Sequence, residues 1–170
     1  SLTRTAFNIL GDYIIGPLIA LGQFKPELEI DFDASMKSLT QTGSNTFNAT
    51  VAQQVVKDGV LASTENCNKN LKQKDSKGIH YYSWTGVAQA TNALDIDTIL
   101  MQLGPLSYGS KDNDGMVSRC SAFMGKVIHD QYKLNHTDLA NMMFGLKGVF
   151  APDPVALYRQ HANRLKLEGL

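Results

Sequence analysis

A chain of 170 residues, 43% hydrophobic and 19% charged, holds enough apolar material for one globular core of ordinary domain size. Sixteen basic residues balance sixteen acidic ones and no run of Lys or Arg exceeds two, so nothing in the charge pattern points to a nucleic-acid or anionic-membrane partner. The most apolar stretch, 13–24, is interrupted by Pro17 and falls well short of the ~20 residues that span a bilayer as a helix. Nothing around Ser1 reads as a charged and apolar export signal, so any such signal is expected to be gone already.

In chain order, residues 2–22 come first, where Phe7, Leu10, Ile14, Ile15, Leu18 and Ile19 repeat with helical spacing up to Gly16-Pro17. The pattern predicts two short helices with a kink, whose apolar face packs in the core or meets a lipid-like ligand. Ile30, Phe32, Met36 and Leu39 suit a further helix, and the polar run from Thr40 to Thr46 reads as a loop. Residues 57–78, rich in Lys, Asn, Ser and Gly, read as surface loop. The β-favouring run from Ile79 to Trp84, ending at Gly86, predicts a short buried strand, and a second strand is expected over 126–132. The clearest local signal is last: Asp153 as cap, Pro154 at the first helical position, and a stripe of Val155, Tyr158, Ala162 and Leu165 predict a helix over 154–167. No internal repeat or linker-like tract marks a second domain.

Cys67 and Cys120 lie too far apart for a C-x-x-C metal motif. They form either one bridge, closing a loop of roughly 50 residues and stabilising by about 4 kcal/mol in an oxidising compartment, or two buried free thiols. Asn113-Asp114-Gly115 puts a carboxylate on a tight turn, which taken alone is an ordinary hairpin turn. Twenty-two residues later, Asn135-His136-Thr137-Asp138 follows the second expected strand and precedes the apolar, helix-like run 139–144. Acid before histidine is the chain order of α/β-hydrolases, in which the carboxylate accepts the imidazole Nδ1 hydrogen and Nε2 takes the proton of a nucleophilic serine. Of the other histidines, His80 and His129 fall in expected strands and His161 on the last helix, positions that suit structural roles. The chain has no Gly-x-Ser-x-Gly elbow; Ser107 in Gly104-Pro-Leu-Ser-Tyr-Gly109 has the wrong spacing.

With these residues in place the chain resembles the foldase-assisted, calcium-binding true lipases of bacteria, in their C-terminal half. The resemblance rests on His136-Thr-Asp138, Gly115-Met-Val-Ser-x-Cys120-Ser-Ala, Tyr82-Ser-Trp-x-Gly86, Asn92-Ala-Leu-Asp95, and the ending Asp153-Pro-Val-Ala with His161-Ala-Asn-Arg-Leu-Lys-Leu167, all in the family's order. It implies an α/β fold: the C-terminal half of an α/β-hydrolase, with lid helices over about 1–24, late sheet strands and the C-terminal helix over about 25–170, incomplete without an N-terminal half. By resemblance, Asp114 is the triad acid and His136 the base, and Cys67 and Cys120 form the family's single disulfide. Asp95 and Asp138, with the backbone carbonyls of Met142 and Leu146, are implied as ligands of a structural Ca²⁺, an all-oxygen set that suits the ion. Asp95 alone would read as a helix cap, and Asp97 is its competitor for the metal. Met116, Thr137, Ala140 and Met143 flank the implied catalytic loops as acyl- or alcohol-pocket lining or as plain packing.

The implied activity is hydrolysis of long-chain acylglycerol esters by a secreted enzyme at a lipid–water interface, helped by a foldase. The nucleophilic serine and the oxyanion hole of this family precede the lid, so they are expected in the N-terminal half, the partner this chain requires. The rival reading is a catalytically inactive calcium- or lipid-surface-binding fragment.

Overall fold

The computed structural model describes residues 37–38, 40–61, 67–94, 98, 101–102, 112–142 and 145–170. The chain divides into two compact units, 1–52 and 53–170. The expected helices over 2–22, and most of the helix expected over 30–39, lie outside the described residues.

In the first unit, α1 runs Gln41–Thr50, where the sequence predicted a loop. The Thr40 side chain caps it, accepting the Gly43 amide hydrogen at 3.1 Å. The hydroxyls of Thr46 and Thr50 turn inward onto the carbonyls of Thr42 and Thr46, both at 2.9 Å. Polarity alone argued for a loop; a threonine cap and side chains satisfied by the helix's own backbone allow a helix instead.

The second unit opens with α2, Gln53–Lys57, which stops at Gly59 in the left-handed region (φ 75°). The chain then turns Val60 fully into the core, and the Val60 carbonyl accepts the Gly125 amide hydrogen at 2.8 Å. The two strands, β1 (Tyr82–Gly86) and β2 (Lys126–Tyr132), are parallel, with Tyr82 opposite Lys126 and Gly86 opposite Tyr132. A parallel pair needs a long crossover, here residues 87–125. The pairing continues past the strands, with the Val87 amide donating to Tyr132 O at 2.9 Å. At this point Gly86 lies so close to the Leu134 carbonyl that any Cβ would collide with backbone.

β2 has the bounds the sequence predicted, whereas β1 starts three residues later than expected. The carboxylate of Asp75 is the reason: it accepts the Ile79 amide hydrogen at 2.8 Å and the Tyr81 hydroxyl at 2.9 Å, folding 75–81 into a loop. His80 makes only an isolated bridge to Lys74.

The final helix, α4 (Pro154–Leu167), has its expected bounds, and the Asp153 side chain caps the Val155 amide at 3.1 Å. It packs on β1 through edge-to-face contacts of Trp84 with Tyr158 and His161, centroids 5.4 and 5.2 Å apart. Past its end, Glu168 accepts the Tyr82 hydroxyl and pairs with Lys126 at 3.4 Å, tying the helix to the start of both strands. Val60, Phe123 and Leu134 are at most 2% exposed and form the centre of the core.

Cys67 and Cys120 are bridged, with Cα atoms 4.7 Å apart across 53 positions of sequence. Around the bridge Arg119 lies 3.4 Å from Asp112 and 3.7 Å from Asp130, which also pairs with Lys69 at 2.8 Å. The architecture is a mixed helix-and-strand arrangement around a small parallel sheet, compatible with an α/β fold. No described helix is long and apolar enough to cross a membrane.

Candidate active site

Two turns meet beyond the carboxyl ends of the strands, the place where open parallel sheets carry their sites. The first is 113–118, closed by an antiparallel bridge between Asn113 and Ser118 and by Asp114 N–H to Val117 O at 3.2 Å. The hairpin-turn reading of Asp114-Gly115 is therefore correct as geometry. Gly115 adopts φ 102°, closed to most side chains, and a Cβ there would lie 2.5 Å from the Met101 Cβ. Asn113, fully buried, accepts the Gly115 amide hydrogen on Oδ1 at 2.8 Å.

Asp114 is 2% exposed. Its Oδ1 accepts the amide hydrogens of Met116 and Val117 at 3.0 and 2.8 Å, which fixes the carboxylate in the turn. The other oxygen, Oδ2, lies 2.9 Å from His136 Nδ1.

His136 opens the second turn. Leu134, fully buried, ends the run from β2, and Asn135 caps the four-residue helix α3 (His136–Leu139). The Asn135 side chain accepts the Asp138 amide hydrogen at 2.7 Å while Asp138 Oδ2 accepts the Asn135 amide hydrogen at 3.1 Å, a reciprocal capping box. The sequence suggested a helix-like run through 144. α3 instead stops at Leu139, and Asn141 takes the left-handed region at φ 54°, a conformation that asparagine tolerates better than most residues.

The His136 amide also donates to the Asp114 carbonyl at 2.8 Å, so the two residues meet through backbone and side chain alike. The imidazole remains 43% exposed. Its pKa is raised above 6.5 by the hydrogen bond it donates to the Asp114 carboxylate, with partial burial opposing. A carboxylate at Nδ1 fixes the proton there, leaving the Nε2 lone pair to accept one.

Of the other positions singled out in sequence, Asp138 is 2% exposed in the α3 turn, and the Met142 carbonyl accepts the Gly145 amide hydrogen at 3.1 Å. Leu146 is half-buried on the following segment. Asn92 donates from Nδ2 to the Lys147 carbonyl at 3.2 Å, so the segment that leads to Asp95 runs beside the one that carries Leu146. Asp95, Asp97, Met143 and Ser107 lie outside the described residues. Met116 and Thr137 are half-buried and Ala140 is exposed; the Thr137 hydroxyl is turned to Asn135 Oδ1 at 2.9 Å.

The remaining histidines stand apart from this pair. His161 is held by Tyr82 and Trp84 and by Arg164 at 3.0 Å, and burial with the neighbouring Arg164 charge lowers its pKa. His129 stacks at a tilt on Tyr132. Sequence reasoning gave no role to Asn113, Asn135 or Thr91; the signal for the first two was asparagine directly before each candidate residue, a common capping and turn chemistry.

A parallel strand pair, compatible with an α/β fold, thus carries an acid–histidine couple beyond its carboxyl end, an arrangement that can move a proton at the histidine. No family model matches the chain. Over 137 residues it is 44% identical to a protein of Vibrio cholerae serotype O1 named triacylglycerol lipase, covering 81% of this chain and 41% of that one. Over 89 residues it is 44% identical to a triacylglycerol lipase of Burkholderia plantarii, covering 51% of this chain and 25% of that one. A triacylglycerol lipase of Pseudomonas fragi is 34% identical over 129 residues, 66% of this chain and 43% of that one. The chain is a homologue of these bacterial lipases, proteins whose name denotes a hydrolase, and it spans less than half the length of each of them.

Proposed function

We propose that this chain is the C-terminal half of a secreted triacylglycerol lipase with an α/β-hydrolase fold, supplying Asp114 and His136 to a Ser-His-Asp triad whose serine is carried by the N-terminal half. The observation that carries the reading is the buried Asp114 carboxylate 2.9 Å from His136 Nδ1, with a second bond between their backbones. The lipase relatives extend well beyond the matched region, which leaves room for a serine elbow, an oxyanion hole and the early strands.

In this mechanism His136 Nε2 takes the hydroxyl proton of the serine as it attacks the ester carbonyl. Asp114 holds the Nδ1 proton and stabilises the imidazolium that forms. His136 then gives its proton to the departing alcohol, and the acyl-enzyme is released by water, with His136 acting again as base. Acyl or alcohol contacts fall to side chains flanking these turns, Met116, Thr137, Ala140 and Met143. The apolar segment 1–24 serves as lid at a lipid–water interface.

A structural Ca²⁺ fits the donor set. Asp138 is a buried carboxylate two residues from His136, and the Asn92 bond to the Lys147 carbonyl sets residue 92, three positions before Asp95 in sequence, beside the segment that carries Leu146. Asp95, Asp138 and the carbonyls of Met142 and Leu146 would hold the ion, all through oxygen. Its contribution is a brace for the turn that aims His136. The Cys67–Cys120 bridge supports export to an oxidising compartment, where a lipase-specific foldase would act.

The test is intact-mass analysis of the full-length protein after exposure to a serine-reactive fluorophosphonate, with His136→Ala alongside. One adduct on the wild type and none on the variant is expected. A full-length chain that takes no label and cleaves no ester leaves the rival reading, an inactive calcium- or lipid-surface-binding protein.

A further inference from the structure

Each member of the acid–histidine pair follows a fully buried asparagine, Asn113 before Asp114 and Asn135 before His136. The first does a turn's work, bonding the Gly115 amide two residues on. The second does more than cap α3. Asn135 Oδ1 accepts from both the Asp138 amide at 2.7 Å and the Thr137 hydroxyl at 2.9 Å, and its Nδ2 reaches out of the turn to Thr91 Oγ1 at 3.2 Å.

Thr91 itself is packed against the 147–148 segment. Gly148 packs against it so closely that a Cβ there would lie 3.2 Å from the Thr91 carbonyl oxygen, and the adjoining Asn92 is bonded to Lys147. The histidine turn is thus held on two sides. Asp114 O grips the His136 amide at 2.8 Å, and Thr91 grips the residue directly before it. A serine in place of Asn135 could still cap the helix, but its single short hydroxyl could not also reach Thr91.

We propose that Asn135 is a positioning residue for His136, its carboxamide anchoring the histidine-bearing turn to Thr91 so that the imidazole stays directed at Asp114. This rests on the reading of His136 as the catalytic base. The ordinary purpose of an N-cap is stability, measured in the folding equilibrium. A positioning role acts on the rate, because a displacement of about 1 Å at a reacting group costs up to ~100-fold.

The test compares Asn135→Ser, Thr91→Val and the double variant in the full-length protein, at a temperature where circular dichroism shows all of them folded. Asn135→Ser is expected to lower kcat for a short-chain ester by roughly 10- to 100-fold, with KM within about threefold. Thr91→Val moves kcat the same way by about five- to tenfold, and the double variant matches Asn135→Ser within about twofold, since both cut one link. In proton NMR the low-field His136 Nδ1–H resonance of the wild type is expected to broaden or vanish in both single variants. Wild-type kcat and an unchanged resonance in Asn135→Ser would reduce Asn135 to a cap and overturn the proposal, as would additive losses in the double variant. If the wild type hydrolyses no ester, the catalytic reading fails by itself, and the resonance alone decides whether Asn135 positions the ring.

Discussion

Asp114 and His136 are joined twice, side chain to side chain at 2.9 Å and backbone to backbone at 2.8 Å, although 22 residues separate them in sequence. The backbone bond fixes how far apart the two Cα atoms sit, and the side-chain bond then fixes the imidazole's rotation and tautomer. Asp114→Asn keeps the shape of the turn while replacing the carboxylate that sets the tautomer. In the full-length protein it is expected to lower kcat by on the order of 10⁴-fold with the fold intact, read by ester hydrolysis and circular dichroism. A variant with wild-type kcat would remove Asp114 from the mechanism.

The pH dependence has opposite signs for rate and for stability. His136 has a folded pKa raised above 6.5 by Asp114, so the pair's contribution to folding is fully present below the unfolded value and fades as pH rises through the folded one. In the proposed mechanism, however, His136 must be neutral to take a proton, so kcat/KM is expected to rise with pH through that same folded value. Following the His136 Cε1–H shift against pH should give a midpoint above 6.5 that drops in Asp114→Asn. A midpoint at or below 6.5 would contradict the pairing.

The disulfide spans 53 positions and ends at Cys120, next to the Arg119 that is bonded to Asp112 at the base of the Asp114 turn. Thiol labelling of the denatured chain should find no free cysteine before reduction and two after. Cys67→Ser with Cys120→Ser is expected to lower stability by roughly 4 kcal/mol in the loop-entropy account. An unchanged denaturation midpoint would mean that the bridge adds nothing to the hydrogen bonds and ion pairs already present there.

If Asp138 helps to hold Ca²⁺, chelation should lower the thermal midpoint of the full-length protein, and added Ca²⁺ should restore it better than Mg²⁺, which demands a tighter octahedral shell. Scanning calorimetry measures the midpoint, and atomic absorption measures the metal. An unchanged midpoint, with metal shown to be absent after chelation, would rule out a bracing ion.

Gly115 stands at φ 102° against the Met101 side chain. Gly115→Ala adds both backbone strain and a crowded Cβ, for a loss on the order of 2 kcal/mol, and it should lower kcat as well because Asp114 is the preceding residue. Chemical denaturation together with ester hydrolysis checks both effects. A neutral variant would show that the turn tolerates a different backbone path.

Some of this was legible in sequence because it is local. The cap and proline at Asp153-Pro154 and the apolar stripe behind them give α4 its observed bounds, and β2 lies where its β-favouring run lies. Other elements were decided by partners that composition does not reveal. The polar run after Thr40 is capped as a helix by the Thr40 side chain, with its later hydroxyls satisfied on the helix carbonyls, and β1 begins late because Asp75 claims the amide of Ile79 and the hydroxyl of Tyr81.

The sequence by itself determined which residue types stand in which order: an acid on an Asp-Gly turn, a histidine after a strand, a lone cysteine pair, and motifs shared with bacterial lipases. Chemistry and spacing are properties of the chain, so they can be read from it. Only the tertiary structure decided that Asp114 Oδ2 faces His136 Nδ1, that the two cysteines meet, and that Asn135 reaches Thr91. Those are contacts between segments 22, 53 and 44 residues apart. The last forms because β1 and β2 run parallel and deliver their carboxyl ends to one place, where the buried Asn135 carboxamide needs a partner.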